Sequence, residues 1–422
     1  MSKRRYHSVE CKHVDWKALS ERIAGEAAVV FAVDVAKHDF VGLLCCPGGE
    51  VLARVRWRHP EETRELLAGI ARLGAVTRVE AVMESSGTYG DALRWQLGRL
   101  GVALYRVAAK RVHDAAEVYD GVPSLHDAKA VELIGELHGR GCSEPWPVAD
   151  APRRALQAEL RMLQQCKQRA QALRNRQEAL LSRHWPEVLT LLEPGSLTLH
   201  HLIATFGGPE QVTLLAPQAE ALMRRIGRQG LGEETIAAVL ASAADTLGLP
   251  CVLEERELLR WQAKALIETH AEMGRLERRI AETLGKDAAL ATLPTCLGRV
   301  TAAVLLASVG SPANYPNAGS YCKALGLNLK ERSSGTHQGR LAITKRGPPL
   351  ARFYLYFAAL RLIAREPVVA RWFTRKTARP GALKGKQVVE LMRRLAKGLW
   401  HHVHGQPFQI EKLVNPHGAL AP

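Results

Sequence analysis

Between residues 29 and 107 the apolar residues fall into runs that are too short for helices and are bounded by turn residues. This pattern restricts the fold more than any other feature of the chain. Residues 29–35 read as a buried strand. Residues 40–46 and 51–57 read as two more, separated by the turn signal Pro47-Gly48-Gly49. The period then alternates. Residues 60–73 are helical, 76–83 form a strand ended by Ser86-Gly87, 91–100 a helix, 102–107 a strand and 127–137 a helix. The order is β-β-β-α-β-α-β-α, an α/β layer structure built on one sheet. Residues 1–28 carry no period and read as a poorly structured lead-in.

A meander of three strands followed by alternating helices and strands is the order of the RNase H-like fold, expected here over residues 29–150. Asp34 interrupts an otherwise apolar strand, and a buried carboxylate is costly unless it is paired or bound to a metal. Glu84 follows the later strand 76–83. In an RNase H-like sheet those two strands are neighbours, so the two carboxylates would meet at one edge. Asp127 opens the helix after the last strand and would bring a third. Carboxylates converging from three segments would hold Mg²⁺, which takes oxygen ligands and bridges to phosphate. Each acid taken alone reads as readily as a helix cap or a surface carboxylate. The three together, on this strand order, favour the metal site.

Residues 151–289 change character. A long helix over 151–181 carries Leu156, Leu160, Leu163, Ala170, Leu173 and Leu180 on one stripe. A second, over 258–284, holds Leu259, Leu266, Met273, Leu276 and Ile280 at heptad spacing, interrupted by Gln262 and Thr269. Residues 187–250 between them read as a small helical insert. The pair reads as an antiparallel coiled-coil arm or a dimerisation element, or equally as two helices of a packed bundle. Residues 290–422 read as a separate, mainly helical unit. Within it 293–298 resembles a helix–hairpin–helix turn and 350–364 an apolar helix.

The charge balance decides what class of partner to expect. Lys and Arg number 58 against 42 Asp and Glu, a formal charge of +16. An excess of that size points to a polyanion, with nucleic acid the default. The basic residues are densest over 153–183 and 330–352 and in the tail, which suggests an extended surface. The eight cysteines include the adjacent Cys45 and Cys46 but no pair at zinc-site spacing, so reduced core cysteines are expected. No run approaches the ~20 apolar residues of a membrane span, and the first residues lack the apolar stretch of a signal peptide. A cytoplasmic protein without a membrane partner is therefore expected.

A second constellation lies in the last unit: Arg332-Ser333-Ser334-Gly335, Arg340, and Ile343-Thr344-Lys345-Arg346-Gly347. A serine beside a glycine can be presented on a tight turn, with Arg332, Arg340, Lys345 and Arg346 to bind a phosphate. From chemistry alone this is more readily a phosphate-binding loop than a nucleophile.

Several segments in order resemble the insertion sequence 110 family of transposases, the bridge-RNA-guided recombinases. They are Ala32-Val33-Asp34-Val35-Ala36-Lys37, Met83-Glu84-Ser85-Ser86-Gly87-Thr88-Tyr89-Gly90, Asp120-Gly121-Val122-Pro123-Ser124 with Asp127-Ala128-Lys129, and Ser143-Glu144-Pro145-Trp146. They continue with Ala324-Leu325-Gly326-Leu327, Ser333-Ser334-Gly335 and Ile343-Thr344-Lys345-Arg346-Gly347. The resemblance implies a RuvC-like domain binding Mg²⁺ through four acids, and a C-terminal transposase domain with an essential serine. Asp34, Glu84 and Asp127 match the first three acids, and Ser334 matches the serine. The fourth acid should lie three residues after the third, and that position is Ala130. Glu132, five residues on from Asp127, points about 140° away and substitutes poorly. A second register would put Ser124 third and Asp127 fourth; the flanking Asp-Gly-Val-Pro-Ser and Ser-Glu-Pro-Trp segments favour the first.

The resemblance further implies a non-coding guide RNA pairing with target and donor DNA, a homo-oligomer (dimer or tetramer) that joins nuclease and serine domains of different subunits, and a nucleoid-associated location. Two alternatives stay open on the residues. One is a Holliday-junction resolvase-like nuclease, which needs only the acids and a water. The other is a catalytically inactive nucleic-acid scaffold, which Ala130 makes admissible.

Overall fold

A computed structural model describes residues 8–84, 87–146, 148–286, 289, 292–330, 342–378 and 381–415. The chain divides into two compact units, Met1–Asp150 and Ala151–Pro422.

The first unit is a seven-stranded sheet covered by helices on both faces. In chain order its elements are β1 (Val9–Glu10), α1 (Trp16–Arg22), β2 (Ala28–Asp34), β3 (Asp39–Cys45), β4 (Val51–Arg58), α2 (Thr63–Gly74), β5 (Arg78–Glu84), α3 (Asp91–Arg99), β6 (Ala103–Val107), α4 (Ala109–Asp120), α5 (Asp127–Gly139) and β7 (Glu144–Pro145). Strands β2, β3 and β4 form an antiparallel meander. Strand β5 then lies parallel to β2, and β6 parallel to β5, which gives the order β1-β4-β3-β2-β5-β6-β7. Successive side chains on β2 face opposite ways, so the strand is buried on both sides. Phe31 and Val33 pack with Leu66, Ile70 and Leu73 of α2 and Leu93 and Leu97 of α3. Val30 and Ala32 pack with Val112 and Ala116 of α4 and with Val131, Leu133 and Ile134 of α5. A continuous apolar run is what such a strand requires.

The expected lead-in is corrected. From residue 8 onward the described residues are built into the unit: β1 pairs with β4, and Cys11 and Ile23 belong to the core. The ring of Trp16 lies so close to Gly69 that a Cβ there would come within 2.2 Å of it. Single apolar anchors among charged residues leave no periodic signal, which is why the segment reads as unstructured. Helix α4 is likewise absent from the sequence reading. It starts without a side-chain cap and ends at Gly121 in the left-handed conformation, φ 74°.

The second unit is built on two long helices, α6 (Ala151–His184, 34 residues) and α12 (Leu253–Thr283, 31 residues). Between them come α7 (Val188–Leu191), α8 (Leu197–Phe206), α9 (Pro209–Leu214), α10 (Ala216–Gly227) and α11 (Glu233–Ala244), which close around Trp185 and Leu199. Ala170 and Leu173 of α6 meet Ala265 and Leu266 of α12. Leu163, Leu276 and Ile280 share a core with Ala303, Val304, Leu350 and Tyr354, while Leu160 and Met273 stay half-buried at its edge. The long-helix stripe is thus covered within the chain. The remaining elements are α13 (Arg299–Val309), α14 (Ala318–Ala324), β8 (Leu329–Lys330), β9 (Ala342–Ile343), α15 (Pro349–Arg365), α16 (Pro367–Thr377), α17 (Lys384–Val403) and α18 (Ile410–Val414). Among the described residues no helix is long and apolar enough to cross a membrane, and all eight cysteines are free.

Candidate functional site

Asp34 is the last residue of β2 and Glu84 the last of β5. The parallel register of the two strands runs from Ala28↔Arg78 to Val33↔Met83, so the two acids leave the sheet side by side. Helix α5 packs across β2, β3 and β5 and starts at Asp127, with the His126 side chain accepting from the Lys129 amide at 3.2 Å as its cap. Burial pushes the Asp34 carboxyl up to about 6, and the carboxylates of Asp127 and then Glu84 add to the shift against the opposing Val35 amide. Burial also raises Glu84. Asp34 therefore lies near enough to Asp127 and Glu84 to feel their charge. Among the described residues, no group of three His, Cys, Asp or Glu is drawn in to metal-ligating distance. The donor chemistry nevertheless fits a hard divalent cation: three carboxylates, one of them raised by burial and then by its acidic neighbours, would be relieved by a positive charge.

The fourth position offers no donor. Ala130 is 3% exposed, a methyl group packed into the unit. Glu132 does not replace it, because its carboxylate is taken. Arg54 Nη2 donates to Oε1 at 2.5 Å, and Tyr119 donates to Oε2 at 2.7 Å.

One residue in this region was overlooked as a positioning group. Lys129 is 1% exposed, and its Nζ donates to Asp120 Oδ1 (2.7 Å), the Val122 carbonyl (2.6 Å) and the Ser124 carbonyl (3.1 Å). A single buried ammonium thus ties the segment before Asp127 to the helix that Asp127 starts. The available signal was a lysine followed by Ala130-Val131 on a buried helix face. In this arrangement Ser124 supplies a carbonyl to Lys129, whereas the Asp127 carboxylate acts on Asp34.

Arg332, Ser333, Ser334 and Arg340 lie outside the described residues. The strands that bracket them are paired, Leu329↔Ile343 and Lys330↔Ala342. Behind this pair two segments already notable in the sequence meet through their backbones. A Cβ on Gly347 would come within 2.4 Å of the Ala324 carbonyl oxygen, and one on Gly326 (φ +72°) within 2.9 Å of the Arg346 carbonyl carbon. Neither position admits a side chain. Arg352 Nη1 bridges the joint, donating to the carbonyls of Leu325 (3.2 Å) and Gly347 (2.7 Å). Lys345 adopts a left-handed φ of 56°, its amide donating to the Gly326 carbonyl at 2.9 Å. Lys345 and Arg346 are both exposed beside this joint.

A family model described as Transposase IS116/IS110/IS902 family matches residues 287–373. The stretch includes the backbone joint, the strand pair β8–β9 and the Ser334 segment between them. The match covers about a fifth of the chain and supports a transposase of an insertion sequence. No curated protein matches the chain.

Proposed function

We propose that this chain is an RNA-guided DNA recombinase of an insertion sequence, with an RNase H-like, RuvC-type nuclease unit and a serine nucleophile, Ser334. The observations that support the nuclease half are that Asp34 and Glu84 end two adjacent parallel strands, and that Asp127, which opens α5, acts on Asp34 through its charge. The strand order supports the fold reading, since β2 opens the meander and is also the parallel neighbour of β5.

In this reading Ser334 Oγ attacks a DNA phosphorus. The new P–O bond to serine forms as one P–O ester bond to a sugar breaks. The serine proton departs, and the released sugar oxygen takes one up. The phosphodiester energy is kept in the protein–DNA link, so rejoining needs no further energy source. Lys345 and Arg346, with Arg332 and Arg340, bind phosphate oxygens and stabilise charge on them. Asp34, Glu84 and Asp127 are the residues that would hold Mg²⁺, which would supply charge neutralisation to a phosphate. With Ala130 in the fourth position, that hold is weakened in the chain as it stands. Pairing with a guide RNA supplies the sequence choice, while the protein reads backbone and shape.

The test is trapping of a covalent DNA adduct on a denaturing gel, with matched RNA, both DNAs and Mg²⁺, using the Ala130→Asp chain. The adduct should form and should vanish in Ser334→Ala and in Asp34→Asn. Cleavage without an adduct would instead support the resolvase-like nuclease. An adduct surviving Ser334→Ala would move the nucleophile to Ser333.

A further inference from the structure

Next to the strand pair that brackets the serine segment lies a groove of about 950 Å³ which the chemistry above does not use. One wall is α17. Residues 406–409, with Lys412 and Leu413 of α18, line it too, as do Leu329, Ala342 and Ile343 of the strand pair.

Its charge is one-sided. Five Lys and Arg residues line it against a single acid, Glu390. That acid is already neutralised: Arg394 Nη2 donates to it at 2.6 Å, and Lys376 lies 3.5 Å away. Arg394 and Arg393 are held by the carbonyls of Leu413 and Leu327. The exposed lysines Lys386, Lys397 and Lys412 remain as cations free to follow a polyanion.

The rest of the lining mixes apolar side chains with Gln387, Gln406 and Gln409, and brings in the rings of His401, His402 and Phe408. The Phe408 ring lies across α17 at Gly398, where an added Cβ would stand 3.3 Å from the ring and 3.0 Å from Leu413. His402 meets that ring edge-on at 5.9 Å between centroids. Duplex grooves are entered by protruding helices or ribbons and need no concave aromatic floor. Aromatic rings beside exposed lysines in one groove suit unstacked bases and the phosphates that join them.

We propose that this groove binds a single-stranded DNA segment, with bases stacked on Phe408 and His402 and phosphates against Lys386, Lys397 and Lys412. The choice of DNA over RNA rests on the transposase reading; the single-strand assignment rests on the groove alone.

Fluorescence anisotropy of the full chain tests it, with labelled short oligo(dT), oligo(U) and duplex DNA. The buffer contains EDTA, so the acid site plays no part. Oligo(dT) should bind more tightly than the duplex. Phe408→Leu should weaken oligo(dT) binding about tenfold or more, as loss of one base–aromatic stack does, and leave the duplex nearly unchanged. The exposed pair Lys397→Gln with Lys412→Gln, which does not touch the core, should lower the salt slope by about 1.4. Oligo(dT) binding that is no tighter than duplex binding, or that neither variant changes, would overturn the groove. Preference for oligo(U) would overturn the DNA assignment. Because cleavage is not involved, a failed adduct experiment leaves these outcomes intact, and the reverse holds too.

Discussion

The two regions that carry chemistry are built on opposite principles. At the ends of β2 and β5, paired strands set Asp34 and Glu84 side by side, where burial first and neighbouring acids second raise Asp34. At the base of β8 and β9, two glycine-bearing turns press backbone on backbone, and the basic residues Lys345 and Arg346 stand out into solvent. The first site is strained by a buried charge and should be relieved by a cation. The second is fixed by steric fit and should tolerate charge changes but not an added carbon.

Removing a supporting group should separate the two most sharply. Lys129→Ala leaves Asp120 and two carbonyls without their buried ammonium, so the first unit should lose about 3–5 kcal/mol. Chemical denaturation followed by a probe in that unit checks this, and Lys129→Arg should not rescue it fully. Gly347→Ala acts on the other region. The added methyl meets the Ala324 carbonyl, and the second unit should lose about 1–3 kcal/mol while the first unfolds as before. A loss shared equally by both units would break the contrast.

A smaller effect, of opposite sign, is expected at Asp34. Its folded pKa, about 6, stands above the usual 3.8, so the fold disfavours the ionised form. That penalty is absent below about pH 4, grows as pH rises toward 6 and is complete above it. Asp34→Asn should therefore stabilise the metal-free protein by about 1 kcal/mol at pH 8, after allowance for solvent screening, and leave it unchanged at pH 4. Thermal melts at the two pH values give the answer. A destabilised variant at pH 8 would show that Asp34 is structurally paired, and the charge-strain account would fail.

How far each region could be read from sequence follows from the same contrast. The strands from 29 to 57 were legible because β2 must be apolar on both faces, and Asp34 was conspicuous as the acid that ends such a run. Glu84 followed from strand order. Lys129 was not legible in its role, because a lysine within a helix looks the same whether it is solvated or buried on three oxygens. The N-terminal segment was missed because Cys11, Trp16 and Ile23 anchor it singly, without a period. The Gly326–Gly347 joint depends on a contact between residues 21 apart in sequence; each glycine was visible, but the reason for either lay in the other. The groove beside α17 needed Phe408 folded back onto Gly398, which no local pattern announces.

The central claim is that Asp34, Glu84 and Asp127 form a divalent-cation site left one ligand short by Ala130. Calorimetric titration with Mg²⁺ or Mn²⁺ tests it on three proteins: the chain as it stands, Ala130→Asp, and Ala130→Asp combined with Asp34→Asn. Binding should be weak in the first, at least about tenfold tighter in the second, no less than the effect of losing a partner that only orients a ligand, and the gain should be lost in the third. Equal affinity in all three, or an Ala130→Asp chain that binds no cation, would contradict it.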